Sequence, residues 1–179
     1  AVPGVVAAIL WGFFYAPNTS PITKIFQSVA VPPPDFLSPS AILWSIGNIS
    51  TWVYTGYNML IFFSAMQAIP QELYEAARID GLTEIGIARH IKLPLLFPAM
   101  RLGLLFSIIG SLQLFNEPYI LRTISGAITD HYTPNILAYN QAIIQSNYYY
   151  GGAIAAILGL ITFVFSFGFM TFTQGRKRG

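Results

Sequence analysis

Residues 70–98 read PQELYEAARIDGLTEIGIARHIKLPLLFP and differ from everything around them. They carry seven charged side chains, Glu72, Glu75, Arg78, Asp80, Glu84, Arg89 and Lys92, with His90 as a titratable eighth, between prolines at both ends. Pro70 suits the first turn of a helix. Glu72 and Glu75 fall where the positive end of a helix dipole favours acids. Gly81 can take the left-handed backbone that ends a helix, and Thr83 reads as the N-cap of a second one. Pro94 is expected to stop that second helix after about Ile91. The segment is therefore predicted to be two short helices with a sharp break. Composition alone leaves a second reading open, a solvated loop whose charges only keep it out of a membrane.

On either side of this island the charge vanishes. No Asp, Glu, Lys or Arg occurs in residues 36–71 or 131–175. Only 9% of the 179 residues are charged and 54% are hydrophobic, whereas a soluble domain carries about 25% charge. That composition excludes an ordinary soluble globule and a disordered chain. The absence of cysteine excludes a disulfide scaffold. A net charge of +2 with no basic stripe argues against a nucleic-acid partner. Crossing a bilayer takes about 20 apolar residues, and each charge-free gap can hold a crossing. The expected fold is an all-α polytopic membrane helix bundle, read as one domain over residues 1–179. Its four spans are residues 2–15, which is short for a crossing, 41–68, 98–119 and 151–173. No basic region precedes the first, so it does not read as a secretory signal.

Lys and Arg set the orientation. Arg78, Arg89, Lys92, Arg101, Arg176, Lys177 and Arg178 fall on one side, and Lys24 and Arg122 on the other. The first side is expected to be cytoplasmic, carrying the 70–97 loop and the C-terminus. Residues 16–40 and 120–148 then face outward. Trp44, Trp52 and Tyr148-Tyr149-Tyr150 suit the headgroup level. The proline-rich stretch 16–39 reads as extended chain, with room for one interfacial helix over residues 22–31.

The spacing inside the charged island is specific. It reads Glu75-Ala76-Ala77, three residues, Gly81, nine residues, Ile91, one residue, Leu93-Pro94. This resembles the EAA signature (EAA-x3-G-x9-I-x-LP) of the permease subunits of binding-protein-dependent ABC importers. Asp80 and Pro98 are similar to the carbohydrate-type branch (maltose, lactose and glycerol-phosphate permeases). Ala88 departs from it, standing where that branch often carries an aromatic ring. Thr123 and Gly126 resemble the outer Thr-Gly loop of sugar permeases, without the commoner Gly-Gly-Pro. The resemblance extends over nearly the whole chain, with Val2-Pro3-Gly4 and Trp11 similar to the third span of a six-span permease.

What the resemblance implies is a bacterial inner-membrane, multi-pass translocation subunit that moves a sugar by alternating access. ABC ATPase subunits, a second permease chain and an extracytoplasmic solute-binding protein are the implied partners, with membrane lipid around them. The loop would dock on an ATPase through Glu75, Ala76, Ala77, Arg78, Asp80, Gly81, Ile91, Leu93 and Pro94. Small Ala76 and Ala77 permit close approach, Glu75, Arg78 and Asp80 offer ion pairs, and Gly81 sets the break.

No GxxxxGK[ST] stretch occurs, so a phosphate loop of that type is not encoded. ATP and Mg would be used by the partner subunits, and this chain is expected to bind no cofactor or metal and to perform no catalysis. No HExxH or paired intramembrane acids occur either. The spans carry neutral polar groups instead, which suit an uncharged solute. Ser and Thr in helices often bond back to their own carbonyls or glue neighbouring helices, and Gly103, Ser107 and Ser111 read as such a packing seam. Asn58, Tyr57, Gln113 and Asn116 are the better pathway candidates. Glu117, at the outer end of the third span, reads as a pathway residue, a partner of Arg122 or an interfacial charge. Two rivals stay open: a permease for glycerol phosphate, polyamine or peptide, and a membrane scaffold.

Overall fold

The computed structural model describes residues 3–17 and 19–175. Val2, at the start of the first expected span, and the basic Arg176, Lys177 and Arg178 lie outside them. Among the described residues the fold is entirely helical. In chain order the helices are α1 (Gly4–Tyr15), α2 (Pro21–Ser28), α3 (Ile42–Gln67), α4 (Gln71–Ile79), α5 (Glu84–Ile87), α6 (Leu93–Leu112), α7 (Asn116–Leu121), α8 (Pro134–Tyr139) and α9 (Tyr148–Gly175). Single π-helical turns, Ala88–Lys92 and Asn140–Ile144, follow α5 and α8.

Two stretches, within Glu84–Leu121 and Tyr148–Thr173, are apolar and long enough to cross a bilayer. α1 is apolar but has only 12 residues. α3 has 26 residues, about 39 Å at 1.5 Å per residue. Its Asn48, Ser50, Thr51, Thr55 and Asn58 make it more polar than the other two. The interfacial helix expected near residues 22–31 is α2, and Ser20 caps it by accepting from the backbone amides of Ile22 and Thr23. α9 begins at Tyr148, so the three tyrosines form its first turn rather than preceding it; Tyr149 is 93% exposed.

The core lies at one end of the bundle. Ala7 and Tyr15 of α1, Ile42, Ile46 and Ile49 of α3, Leu121 of α7, Ile136 of α8 and the loop residues Leu37 and Ile128 form one buried cluster. Helices in lipid gain little from apolar burial, so hydrogen bonds and close packing fix their arrangement. The amide of Asn48 donates to the Tyr15 hydroxyl at 2.8 Å. Ser45 donates to the Phe36 carbonyl at 2.7 Å, and Ser125 donates to the Leu37 carbonyl at 2.7 Å. These bonds tie the proline-rich loop and the 122–133 loop onto α1 and α3.

Two expectations for the third span fail. Pro94 does not stop the second short helix, because α5, the π turn and α6 run on as one rod from Glu84 to Leu112. Proline clashes with the carbonyl four residues back and offers no amide. The π turn removes the conflict: the Leu93 amide bonds to the Ala88 carbonyl, five residues back. Pro94 then starts a fresh α segment, and Pro98 is carried inside it. The span also does not run unbroken to Tyr119. It ends at Leu112, and α7 restarts at Asn116 after a non-helical Phe115.

Candidate functional site

The first helix of the charged island and the break after it form as their residues predict, and the second starts at Thr83 but runs on into α6. Pro70 takes the N-cap of α4, one position before the first turn. At the other end Asp80 is the C-cap and Gly81 has φ +81°. The Leu82 amide bonds to the Ala77 carbonyl at 2.9 Å, and the Gly81 amide bonds to the Arg78 carbonyl at 3.1 Å. This double bond pattern is the Schellman motif, which requires a left-handed residue at Gly81. Thr83 caps α5 by accepting from the Gly86 amide at 3.3 Å. Arg78 crosses the break to Glu84 at 2.9 Å. Both partners are largely exposed, so the pair contributes orientation more than stability. The Lys92 ammonium sits 5.5 Å from the centre of the Tyr74 ring, linking the π turn back to α4.

Ala77 and Ile87 are the buried residues of the two short helices, while Glu75, Ala76, Arg78 and Asp80 are exposed. Ile91 is half-buried, and Leu93 and Pro94 are exposed at the start of α6. Sequence reasoning missed two residues here. Ile79 is 86% exposed and Ile85 80% exposed, one on each side of the Gly81 break. An apolar side chain in a charged segment reads as an inward-facing residue, and only the geometry puts these two outside. Together with Leu73 they give the charged knob an apolar surface.

The second feature is an open groove of about 1300 Å³ between α3 and α6. Small residues bring its two helices together. A Cβ added at Gly103 would stand 2.8 Å from Oδ1 of Asn58, and one added at Gly110 would collide with the Tyr54 phenol. The close seam therefore runs through Gly103 and Gly110, not to the expected Ser111, which is exposed. Most of the lining is apolar. Thr51, Thr55 and Ser107 bond back to carbonyls four residues earlier, as residues of that type often do. The Ser50 hydroxyl is buried with no hydrogen-bond partner among the described residues. Tyr54, Asn58 and Ser111 are the other neutral polar side chains of the lining that do not bond back to their own helix, and Arg101 is its charged one. Tyr54 escaped the sequence reading, which chose Tyr57 from the same helix; only the packing of α3 on α6 tells the two apart.

Of the five candidate pathway residues, Asn58 lines this groove. Tyr57 packs edge-on against Phe106, with ring centres 6.1 Å apart. Gln113 caps the end of α6, and its carbonyl accepts from the Asn135 amide at 2.8 Å. Asn116 opens α7 and is exposed. Glu117 is 8% exposed and lies against Gly4 of α1. Its expected pairing with Arg122 does not form. Arg122 instead meets Asp130 at 2.8 Å, because the 122–133 loop folds back and Asn140 holds the Asp130 carbonyl.

Residues 1–178 match the model of the family described as "Binding-protein-dependent transport system inner membrane component". The chain is 31% identical to the "Probable ABC transporter permease protein YurN" of Bacillus subtilis, over 96% of this chain and 60% of that protein. It is also 31% identical to the trehalose/maltose transport system permease protein MalF of Thermococcus litoralis, over 99% of this chain and 59% of that one. It thus spans about three fifths of these relatives' length. A chain of the bacterial alginate ABC transporter, solved in complex with an alginate pentasaccharide-bound periplasmic protein, has the same fold. The TM-score is 0.80 at 20% identity, over 94% of this chain and 59% of that one.

Proposed function

The chain belongs to the binding-protein-dependent transport system inner membrane component family, and from that premise we propose that it is the translocation subunit of an ATP-driven importer for a sugar or related polyol. One observation carries the choice of solute. The groove between α3 and α6 offers neutral hydroxyl and amide groups, at Tyr54, Asn58 and Ser111, on an apolar wall, with Arg101 the one charged residue of its lining. A polyhydroxylated solute can exchange its water for such groups. Each bond is weak, so the solute can leave as readily as it enters. The relative named for trehalose and maltose supports the same solute class.

In this reading the helix pair α4–α5 faces the cytoplasm and docks in a cleft of an ATPase partner that binds ATP and Mg. Ile79 and Ile85 supply apolar contact, and Glu75, Arg78 and Asp80 supply the charged rim. The unbroken rod from Glu84 to Leu112 carries the movement of the knob directly to the wall of the groove. A second permease chain completes the pathway, and a solute-binding protein delivers from the outer face.

The test is uptake by proteoliposomes holding the full-length chain with its partner permease, ATPases and binding protein. Labelled oligosaccharide should enter on ATP addition, and glycerol phosphate, a polyamine or a peptide should not. Asn58→Leu should slow uptake about fivefold, the loss of one neutral hydrogen bond of about 1 kcal/mol. Uptake of a charged solute in place of sugar would overturn the solute class.

A further inference from the structure

A second, smaller groove of about 290 Å³ lies on another face of α6, against α9. Leu102 and Leu105 of α6 and Phe169 and Met170 of α9 wall it, and Arg101 stands in its lining. The Arg101 Nη1 donates to the Thr173 carbonyl at 2.6 Å, and Nε donates to the Phe97 carbonyl at 3.3 Å. Arginine has five donors, so three remain, and among the described residues no acid pairs with it. A guanidinium on an apolar helix without a counter-charge is costly at membrane depth and is drawn to the headgroup level. Thr173 belongs to the last turn of α9, and Arg176, Lys177 and Arg178 follow within five residues in the sequence. Basic groups clustered at the end of a membrane helix attract anionic lipid.

We propose that the α6–α9 groove binds one anionic phospholipid of the cytoplasmic leaflet. Its phosphate meets the free donors of Arg101, and the head of an acyl chain lies along Leu102, Leu105, Phe169 and Met170. The bound lipid joins the coupling rod to the final helix at the level where the rod enters the membrane. A zwitterionic lipid offers the same chain without the net negative charge, and free phosphate offers the charge without the chain. The leaflet assignment rests on the orientation proposed above; the site itself does not.

The experiment is native mass spectrometry of the complete importer after delipidation and reconstitution in nanodiscs, with phosphatidylcholine alone or with phosphatidylglycerol. The wild type should retain one phosphatidylglycerol per copy of this chain. Arg101→Gln should retain about fivefold less, and Arg101→Lys an intermediate amount. Leu105→Trp keeps the charge and fills the groove, and it should also lose the lipid, which guards against a folding defect in the Arg101 variant. Equal retention of phosphatidylcholine, equal retention by Arg101→Gln and Leu105→Trp, or displacement by millimolar inorganic phosphate alone would overturn the proposal. ATPase activity measured on the same samples separates this outcome from a failure of the importer reading.

Discussion

At the residue scale, the account turns on three glycines. Gly81 has φ +81°, where an L side chain costs roughly 1–2 kcal/mol. Gly81→Ala should lower the melting midpoint of the purified importer, and Gly81→Asn, which tolerates this backbone better, should lower it less. A circular-dichroism melt checks both. Gly103 and Gly110 hold α3 close to α6. Gly110→Ala should weaken that packing, and Tyr54→Ala should restore part of the loss by vacating the collision. A double-mutant cycle should give a coupling energy of about 0.5 kcal/mol or more; strict additivity would mean that the two residues do not meet. Gly81 was legible from the sequence, because a glycine eleven residues after a helix-starting proline has few other uses. Gly103 was legible only as part of a small-residue seam, and Gly110 was not, since the sequence does not say which side chain faces it.

At the element scale, the lesson is the proline. Pro94 read as a stop because a proline within an α-helix loses a bond and meets a carbonyl. The chain avoids both by inserting a π turn over Ala88–Lys92, a device with no strong residue signature. A π turn adds one residue to the rod and so changes the angle at which α5 projects from α6. Pro94→Ala removes the reason for the turn. It should leave the protein folded and lower the sugar transported per ATP hydrolysed, as measured by uptake and phosphate release on the same proteoliposomes. The cation–π contact between Lys92 and Tyr74 braces the same corner. Tyr74→Leu should speed amide exchange across α4 by a few fold, matching a contact of about 0.5–1 kcal/mol. Helix α4, the break at Gly81, the Thr83 cap and the helix α2 were all readable, because local residues decide them. The break between Leu112 and Asn116 went unread although Pro118, in the first turn of α7, signals it: its ring would clash with the Leu114 carbonyl of a continuous helix.

At the scale of the whole molecule, composition and charge spacing were enough to give an all-α membrane bundle with a charged knob. The grooves were out of reach of the sequence, since they depend on which faces of α3, α6 and α9 meet. So did the outward positions of Ile79 and Ile85, and these two provide the most direct test of the central claim. The chain has no cysteine, so Ile79→Cys or Ile85→Cys introduces a single thiol on the knob. In membranes holding the assembled importer, both should react slowly with a water-soluble maleimide, and stripping the ATPase subunits should raise the rate at least tenfold. Equal labelling with and without the ATPases would show that the knob does not dock there, and the coupling role of α4 and α5 would fall.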